Sequence, residues 1–363
     1  LWKDIDKTFA EQCHKNAVLT YEAAKKHPDM YAPLNESVGG GPYGDDNAKD
    51  EFYWAACELY LATEDKAYLK DAQGYEDYLD FDNEISGGED VDTCGSFNWG
   101  NVSALGNLSL ALYEDKLDKS EFNKLKDNIA EAADKYAELT EEQGYGQPYE
   151  QSTISFEIDR KGYSWGSNSF VVNNSIILAY AYELTGVEKY LNSAVSGMDY
   201  ILGRNPVDYS YVTGYGSHAV KNPHHRWWSY QADESFPSAP AGVLVGGPNS
   251  GMQDPWVRGS GWKPEEIAPA KCYMDNIEAW SVNECTINWN TPLAWLAAYL
   301  ANENGGVIIT HGSIDASVSK PESADNNSAA GNYKENNYES SESGNRNDSQ
   351  KKSDSKGGLG IVP

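Results

Sequence analysis

TEDKAYLKDA (63–72) and TGVEKYLNSA (185–194) share the pattern T-x4-Y-L-x2-A. An apolar run at helical spacing precedes each copy. Phe52, Ala56, Leu59 and Thr63 fall on one face before the first, and 169–184 forms the run before the second. Each copy then opens another candidate helix, 67–78 and 189–202. Two helices joined by so short a link pack as antiparallel neighbours, and a recurring hairpin is the mark of a repeat architecture. Further candidates at about 5–26, 102–113, 120–139 and 291–302 extend the series, while strand-like alternation is weak throughout. The pattern predicts an all-α fold, a toroid of helical hairpins rather than a four-helix bundle, with the site on the long loops of one face.

Composition bounds what such a fold can do. The 363 residues carry 28 Lys and Arg against 56 Asp and Glu, a net charge of -28, and 40% are hydrophobic, enough for a real core. So negative a chain repels a phosphate backbone, which argues against nucleic acid but not against a neutral ligand or a calcium ion. No stretch is long and apolar enough for a membrane span. The rings are 25 Tyr and 11 Trp against 8 Phe. That excess of amphipathic aromatics suits a cleft in which sugars stack on a ring face and hydrogen-bond at its edge. Cys13, Cys57, Cys94, Cys272 and Cys285 are odd in number and lack the paired spacing of a zinc site. The chain opens at Leu1 with neither Met nor a signal-like segment, so the expectation is a processed or excised piece. Residues 1–305 read as the folded domain. Residues 306–363, rich in Ser, Asn, Asp, Lys and Gly, read as a disordered linker leading to a further module.

Two stretches carry the chemistry. The first lies within 203–274, a region punctuated by Gly and Pro and too long for a mere connection, and contains SYVTGYGSHAVKNPHHR (210–226). Arg226 there is a fixed multi-donor fork for hydroxyls or a carboxylate. The second, YMDNIEAWSVNECTINWNT (273–291), sets Asp275, Glu278 and Glu284 among Tyr273, Trp280 and Trp289. A carboxyl surrounded by aromatics holds its proton at higher pH, as a general acid for a glycosidic oxygen must. On local grounds alone, these segments also read as a pinned loop and a solvated acidic one.

Together the two stretches resemble the signatures of glycoside hydrolase family 9, the inverting cellulases. The first matches at Ser210, Val212, Thr213, Gly214, Pro223, His224 and Arg226; the second at Tyr273, Asp275, Trp280, Glu284, Thr286, Asn290 and Thr291. Residues 39–63, YSWGSNSFVVNN (163–174), DYILGRNP (199–206) and LVGGPN (244–249) look like further family segments, so the likeness runs from Leu1 to about Glu303. It implies an (α/α)6 toroid with an open cleft for β-1,4-glucan, in cellulose or cello-oligosaccharides, and secretion from the cell. By motif position Glu284 is the general acid. Asp275 and His224 are its active-site companions, His224 and Arg226 bind hydroxyls, Tyr43 lies near the cleavage point, and Trp165 and Trp227 stack on sugar. No cofactor is required, although a structural calcium ion is compatible with the family and the acidity. The family's general base is an aspartate in a D-A-G-D segment, which these 363 residues lack. The expectation is therefore a toroid incomplete at its N-terminus, an endo-acting cellulase portion inactive alone. The alternatives are an exo-acting or processive enzyme of the same chemistry and a non-catalytic glucan-binding protein.

Overall fold

The computed structural model describes residues 2–31, 43–45, 47–87, 90–154, 160–263 and 266–303. Segment 39–42 and the expected linker 306–363 lie outside the described residues. By its contacts the chain divides after Leu300, and the account below concerns the unit up to that residue.

About 52% of the structure is helical, with little sheet. The helices are α1 (Lys7–Lys26), α2 (Lys49–Thr63), α3 (Lys66–Ala72), α4 (Ser103–Ala111), α5 (Lys119–Glu142), α6 (Ser167–Thr185), α7 (Glu188–Ile201), α8 (Pro255–Gly259), α9 (Trp280–Asn283) and α10 (Ile287–Glu303). Their faces sort them into two kinds. In α5 the residues Leu125, Ile129, Ala132, Ala133 and Tyr136 are buried at helical spacing, under a capping box of Asp118 and Glu121. In α6 every residue from Ser167 to Ala181 is buried. A helix buried all round belongs inside, so α6 forms the inner wall against which α5 and α7 pack. The α6–α7 approach is close: a methyl on Gly197 would run into the Ser175 hydroxyl and the Pro148 ring.

Both copies of the repeat make the same corner. Thr63 ends α2, with its hydroxyl bonded to the Leu59 carbonyl (2.7 Å) and accepting the Asp65 N–H (3.1 Å). Thr185 ends α6, bonding the Ala181 carbonyl (2.6 Å) and accepting the Val187 N–H (3.3 Å). The residue after each Thr is left-handed, Glu64 at φ 60° and Gly186 at φ 69°. The hydroxyl thus serves the orphaned groups at both sides of the turn.

Two helix boundaries and one sheet differ from expectation. Helix α3 stops at Ala72 instead of running to Tyr78, because Gly74 follows and the chain turns through Leu79 at φ 58°. Helix α10 begins at Ile287, a turn before Thr291, and carries Pro292 inside it. The weak alternation also concealed a four-stranded antiparallel sheet, β1 (Glu84–Gly87), β2 (Asp90–Cys94), β3 (Ser152–Ile154) and β4 (Arg160–Gly162), in the order β1-β2-β3-β4. Strands of three to five residues are too short to declare a period of two. Helix α6 anchors the flanks of this sheet with buried asparagines. Asn174 Nδ2 reaches the Cys94 and Pro148 carbonyls (3.2 and 2.8 Å), and Asn173 Nδ2 reaches that of Phe97 (3.0 Å). Those side chains are polar inside an apolar wall because buried carbonyls need donors.

Candidate active site

Between α7 and α9 the chain runs mostly as short extended arms, joined by isolated bridges at Ser210–Ala219, Val212–Leu244 and His224–Glu284. Arm 211–213 pairs with 243–245 through Thr213 N–H to Val243 O (3.0 Å) and Val245 N–H to Tyr211 O (3.1 Å). Arm 246–247 pairs with 282–284 through Gly246 N–H to Glu284 O (2.8 Å) and Gly247 N–H to Val282 O (2.9 Å). His224 completes the layer, its N–H on the Asn283 carbonyl (2.7 Å). Two helices hold the layer in place. Asn168 of α6 donates from its side chain to Val245 O (2.9 Å), and Asn290 of α10 grips both the N–H and the carbonyl of Leu244 (2.8 and 3.1 Å). Gly246 lies so near the buried Trp289 ring that a Cβ would stand 3.0 Å from it, which explains a glycine in LVGGPN.

His224 and Glu284 are direct partners in a parallel bridge, so their side chains leave the same face about one strand spacing apart, ~4.8 Å. Each is then fixed individually. The imidazole Nδ1 lies 2.6 Å from the Ile277 carbonyl, so that nitrogen carries a hydrogen. Trp280 packs 6.0 Å from the ring. The Trp165 indole N–H donates to Glu284 Oε2 (3.2 Å). Both residues are half-buried.

Asp275 is a hub. Its Oδ1 accepts from Asn222 N–H (2.9 Å) and Asn283 Nδ2 (3.2 Å), and its Oδ2 from Lys221 N–H (2.9 Å), the Tyr209 hydroxyl (3.3 Å) and Asn222 Nδ2 (3.4 Å). Asn283, fully buried, adds bonds to the Asn222 and Asn276 carbonyls and receives the Tyr273 hydroxyl (2.9 Å). Burial, and then the Asp275 charge, raise the Tyr209 pKa, so its phenol stays a donor. The residue after Glu284 is also quiet: burial, then the Glu284 charge, push the Cys285 thiol up to about 11.

Of the residues singled out in the sequence, the structure gathers Glu284, His224, Asp275 and Trp165 into one hydrogen-bonded group. Arg226 and Trp227 follow His224 on an exposed turn, Trp227 with 62% of its surface in solvent and its ring edge-on to Phe236. Tyr43 is exposed and edge-on to Trp99 (5.2 Å). Sequence reasoning missed Tyr209, Asn222 and Asn283; only adjacency to Glu284 pointed to the last. All five cysteines are free. Among the described residues no group of three or more His, Cys, Asp or Glu is arranged to hold a metal ion.

A carboxyl, an imidazole, a guanidinium and indoles on a helical-hairpin fold are groups of the kind that carbohydrate chemistry uses. Comparison with known proteins makes this particular. The chain belongs to glycosyl hydrolase family 9, whose model matches residues 1–297, and its hairpins are those of that family's all-α (α/α)6 toroid. It is 46% identical over 308 residues to a cellulose 1,4-beta-cellobiosidase of Acetivibrio thermocellus, covering 83% of this chain and 34% of that protein. Against endoglucanase C of Cellulomonas fimi the identity is 38% over 327 residues, covering 88% and 28%. The GH family 9 endoglucanase J30 superimposes with a TM-score of 0.69 at 25% identity, over 82% of this chain and 51% of that one. AaCel9A in complex with cellobiose-like isofagomine gives 0.66 at 27%, over 82% and 52%. The chain thus spans about a third of the length of these curated relatives and about half of the solved chains.

Proposed function

We propose that this chain is the acid-bearing portion of an endo-acting hydrolase of β-1,4-glucan. The bridge that sets the His224 imidazole beside the Glu284 carboxyl, with an indole N–H on the latter, carries this reading. In it Glu284 protonates the leaving glycosidic oxygen. His224 Nε2 and the Arg226 fork bind sugar hydroxyls, and Asp275 holds the arm on which both sit. Tyr43, Trp165 and Trp227 contribute aromatic surface along the cleft, and the protein works outside the cell, where its polymeric substrate is.

An inverting glycosidase also needs a second carboxylate about 6.5–9.5 Å from the acid to activate water. The D-A-G-D aspartate that supplies it in the family has no counterpart in these 363 residues. The chain alone therefore binds cello-oligosaccharides and hydrolyses carboxymethyl-cellulose negligibly. In continuity with a segment bearing that aspartate it is active, and Glu284→Gln abolishes most turnover while binding persists. Robust cleavage by the chain alone, or full activity of the Gln variant, refutes the assignment.

A second reading, a glucan-binding protein without turnover, predicts no activity in either context. Relatives described as a cellobiosidase and as an endoglucanase leave chain-end or processive action open to the same assay. Viscosity loss outpacing release of reducing ends marks the endo mode.

A further inference from the structure

The turn that carries Arg226 and Trp227 takes two of its backbone hydrogen bonds from one imidazole. His225 Nδ1 accepts the backbone N–H groups of both Trp227 and Trp228, each at 3.2 Å, and its ring stacks on that of Trp228 with centroids 4.0 Å apart and 23° between planes. Residue 225 is half-buried, whereas 226 and 227 are exposed. A nitrogen that accepts two N–H groups cannot also carry a proton, so the turn requires the neutral Nε2–H tautomer. Protonation replaces two attractions with two repulsions and frees the segment.

We propose that His225 is a positioning residue whose neutral imidazole templates the 225–228 turn, making the Arg226–Trp227 arm one that lets go of glucan when the ring is protonated. This names a regulation of the site assigned above and rests on that reading for its ligand. The charged and titratable neighbours of the ring in the chain are His224, whose charge acts on it, and Arg226. Burial is the larger influence on His225 and the charge of His224 the second, and both lower its pKa from 6.5. The sign follows from the direction of that shift. The turn's stability is fully present above the unfolded-state value of 6.5 and is lost as pH falls through the lower folded-state value.

The test uses the full chain, His225→Asn and His225→Phe. The Asn side-chain oxygen accepts the same two N–H groups without titrating, as in an Asx turn. The Phe ring keeps the stack and removes the acceptor. Long-range 1H–15N correlation of the histidine rings is expected to find His225 with Nδ1 bare and Nε2 protonated at neutral pH, titrating below 6.5. An imidazolium stacked on an indole quenches it, so tryptophan emission should fall with the same midpoint in the native chain and in neither variant. Calorimetric affinity for cellohexaose should drop roughly tenfold from about pH 7.5 to about pH 4.5, the size of two backbone hydrogen bonds. The Asn variant should hold its affinity across that range, and the Phe variant should be weak and flat throughout. A protonated Nδ1 at neutral pH, a midpoint at or above 6.5, or an Asn variant with the native pH dependence overturns the inference. If no protein binds cellohexaose at any pH, the glucan reading fails instead, and the ring's tautomer and titration still decide the turn.

Discussion

Replacing Asp275 by Asn separates a clamp from a reacting group. The amide keeps the shape of the carboxylate and offers one acceptor where there were two. With NH2 in the Oδ1 position it faces the Asn222 N–H and Asn283 Nδ2; in the Oδ2 position it faces the Lys221 N–H, the Asn222 amide and Tyr209, whose hydroxyl can turn to accept. Either way at least one backbone N–H loses its partner. Hydrogen bonds to a charged group contribute ~1.5–3 kcal/mol each, and a half-buried site recovers part of that from water, so the loss is about 2–4 kcal/mol. It falls on the 221–224 arm and hence on the His224–Glu284 bridge. Hydrogen exchange of the His224 amide, bonded to Asn283 O at 2.7 Å, reads it directly. Protection should fall roughly 30- to 1,000-fold, limited by global stability, with a lower urea midpoint and weaker cello-oligosaccharide binding. Unchanged protection with an unchanged midpoint refutes the clamp. If turnover in the base-bearing context vanished while protection stayed native, Asp275 would be a reacting group instead.

Three further changes test other parts of the site and fold. Trp165→Phe keeps an aromatic face and removes the 3.2 Å donor to Glu284, so kcat in the base-bearing context should fall roughly tenfold with little change in KM; a loss confined to KM would make Trp165 a sugar platform only. Glu51, at the start of α2, has its carboxyl pushed up to about 7 by burial, then by Asp50 and Asp45. Its favourable contribution is therefore complete below 4.5 and lost as pH rises through about 7. Glu51→Gln should accordingly gain melting temperature over the native chain at pH 8 and not at pH 4, and parallel melting curves would contradict this. Of the five thiols only Cys13 is exposed; Cys57 and Cys94 are pushed up to about 12 and Cys285 to about 11, each chiefly by burial. One equivalent of a disulfide reagent should react quickly with the native protein, and rapid reaction of a second thiol would mean that the packing around it opens.

What could be read in the sequence was what the chain encodes locally. The two T-x4-Y-L-x2-A copies specify the same corner because everything the corner needs lies within six residues: a hydroxyl, a left-handed position and the next helix start. The sheet could not be read in the same way, since β2 finds β3 through Val91 and Thr153, far apart in the chain and in strands too brief to show alternation. The start of α10, expected at about 291, is a related case: a proline such as Pro292 is at home in a first turn. The helix starts at Ile287 instead, which places Asn290 where its amide can hold Leu244 and so the central arm of the site.

The site divides along the same line. Glu284, Asp275, His224 and Arg226 stood out because motif spacing marks them, yet spacing is silent about which of two carboxylates faces a reacting atom. The donors differ between the two. Asp275 is surrounded by five of them from Tyr209, Lys221, Asn222 and Asn283, whereas the bridge with His224 fixes the direction in which Glu284 leaves its arm. A carboxylate so fully engaged with its own protein can give up a bond to a substrate only by loosening the 221–224 arm. Glu284 instead stands beside an imidazole on the paired arm and takes an indole N–H on Oε2. Trp165 belongs to the same logic. Its ring type suggested stacking, but an indole has a single N–H and a half-buried one must place it, and here the partner is Glu284.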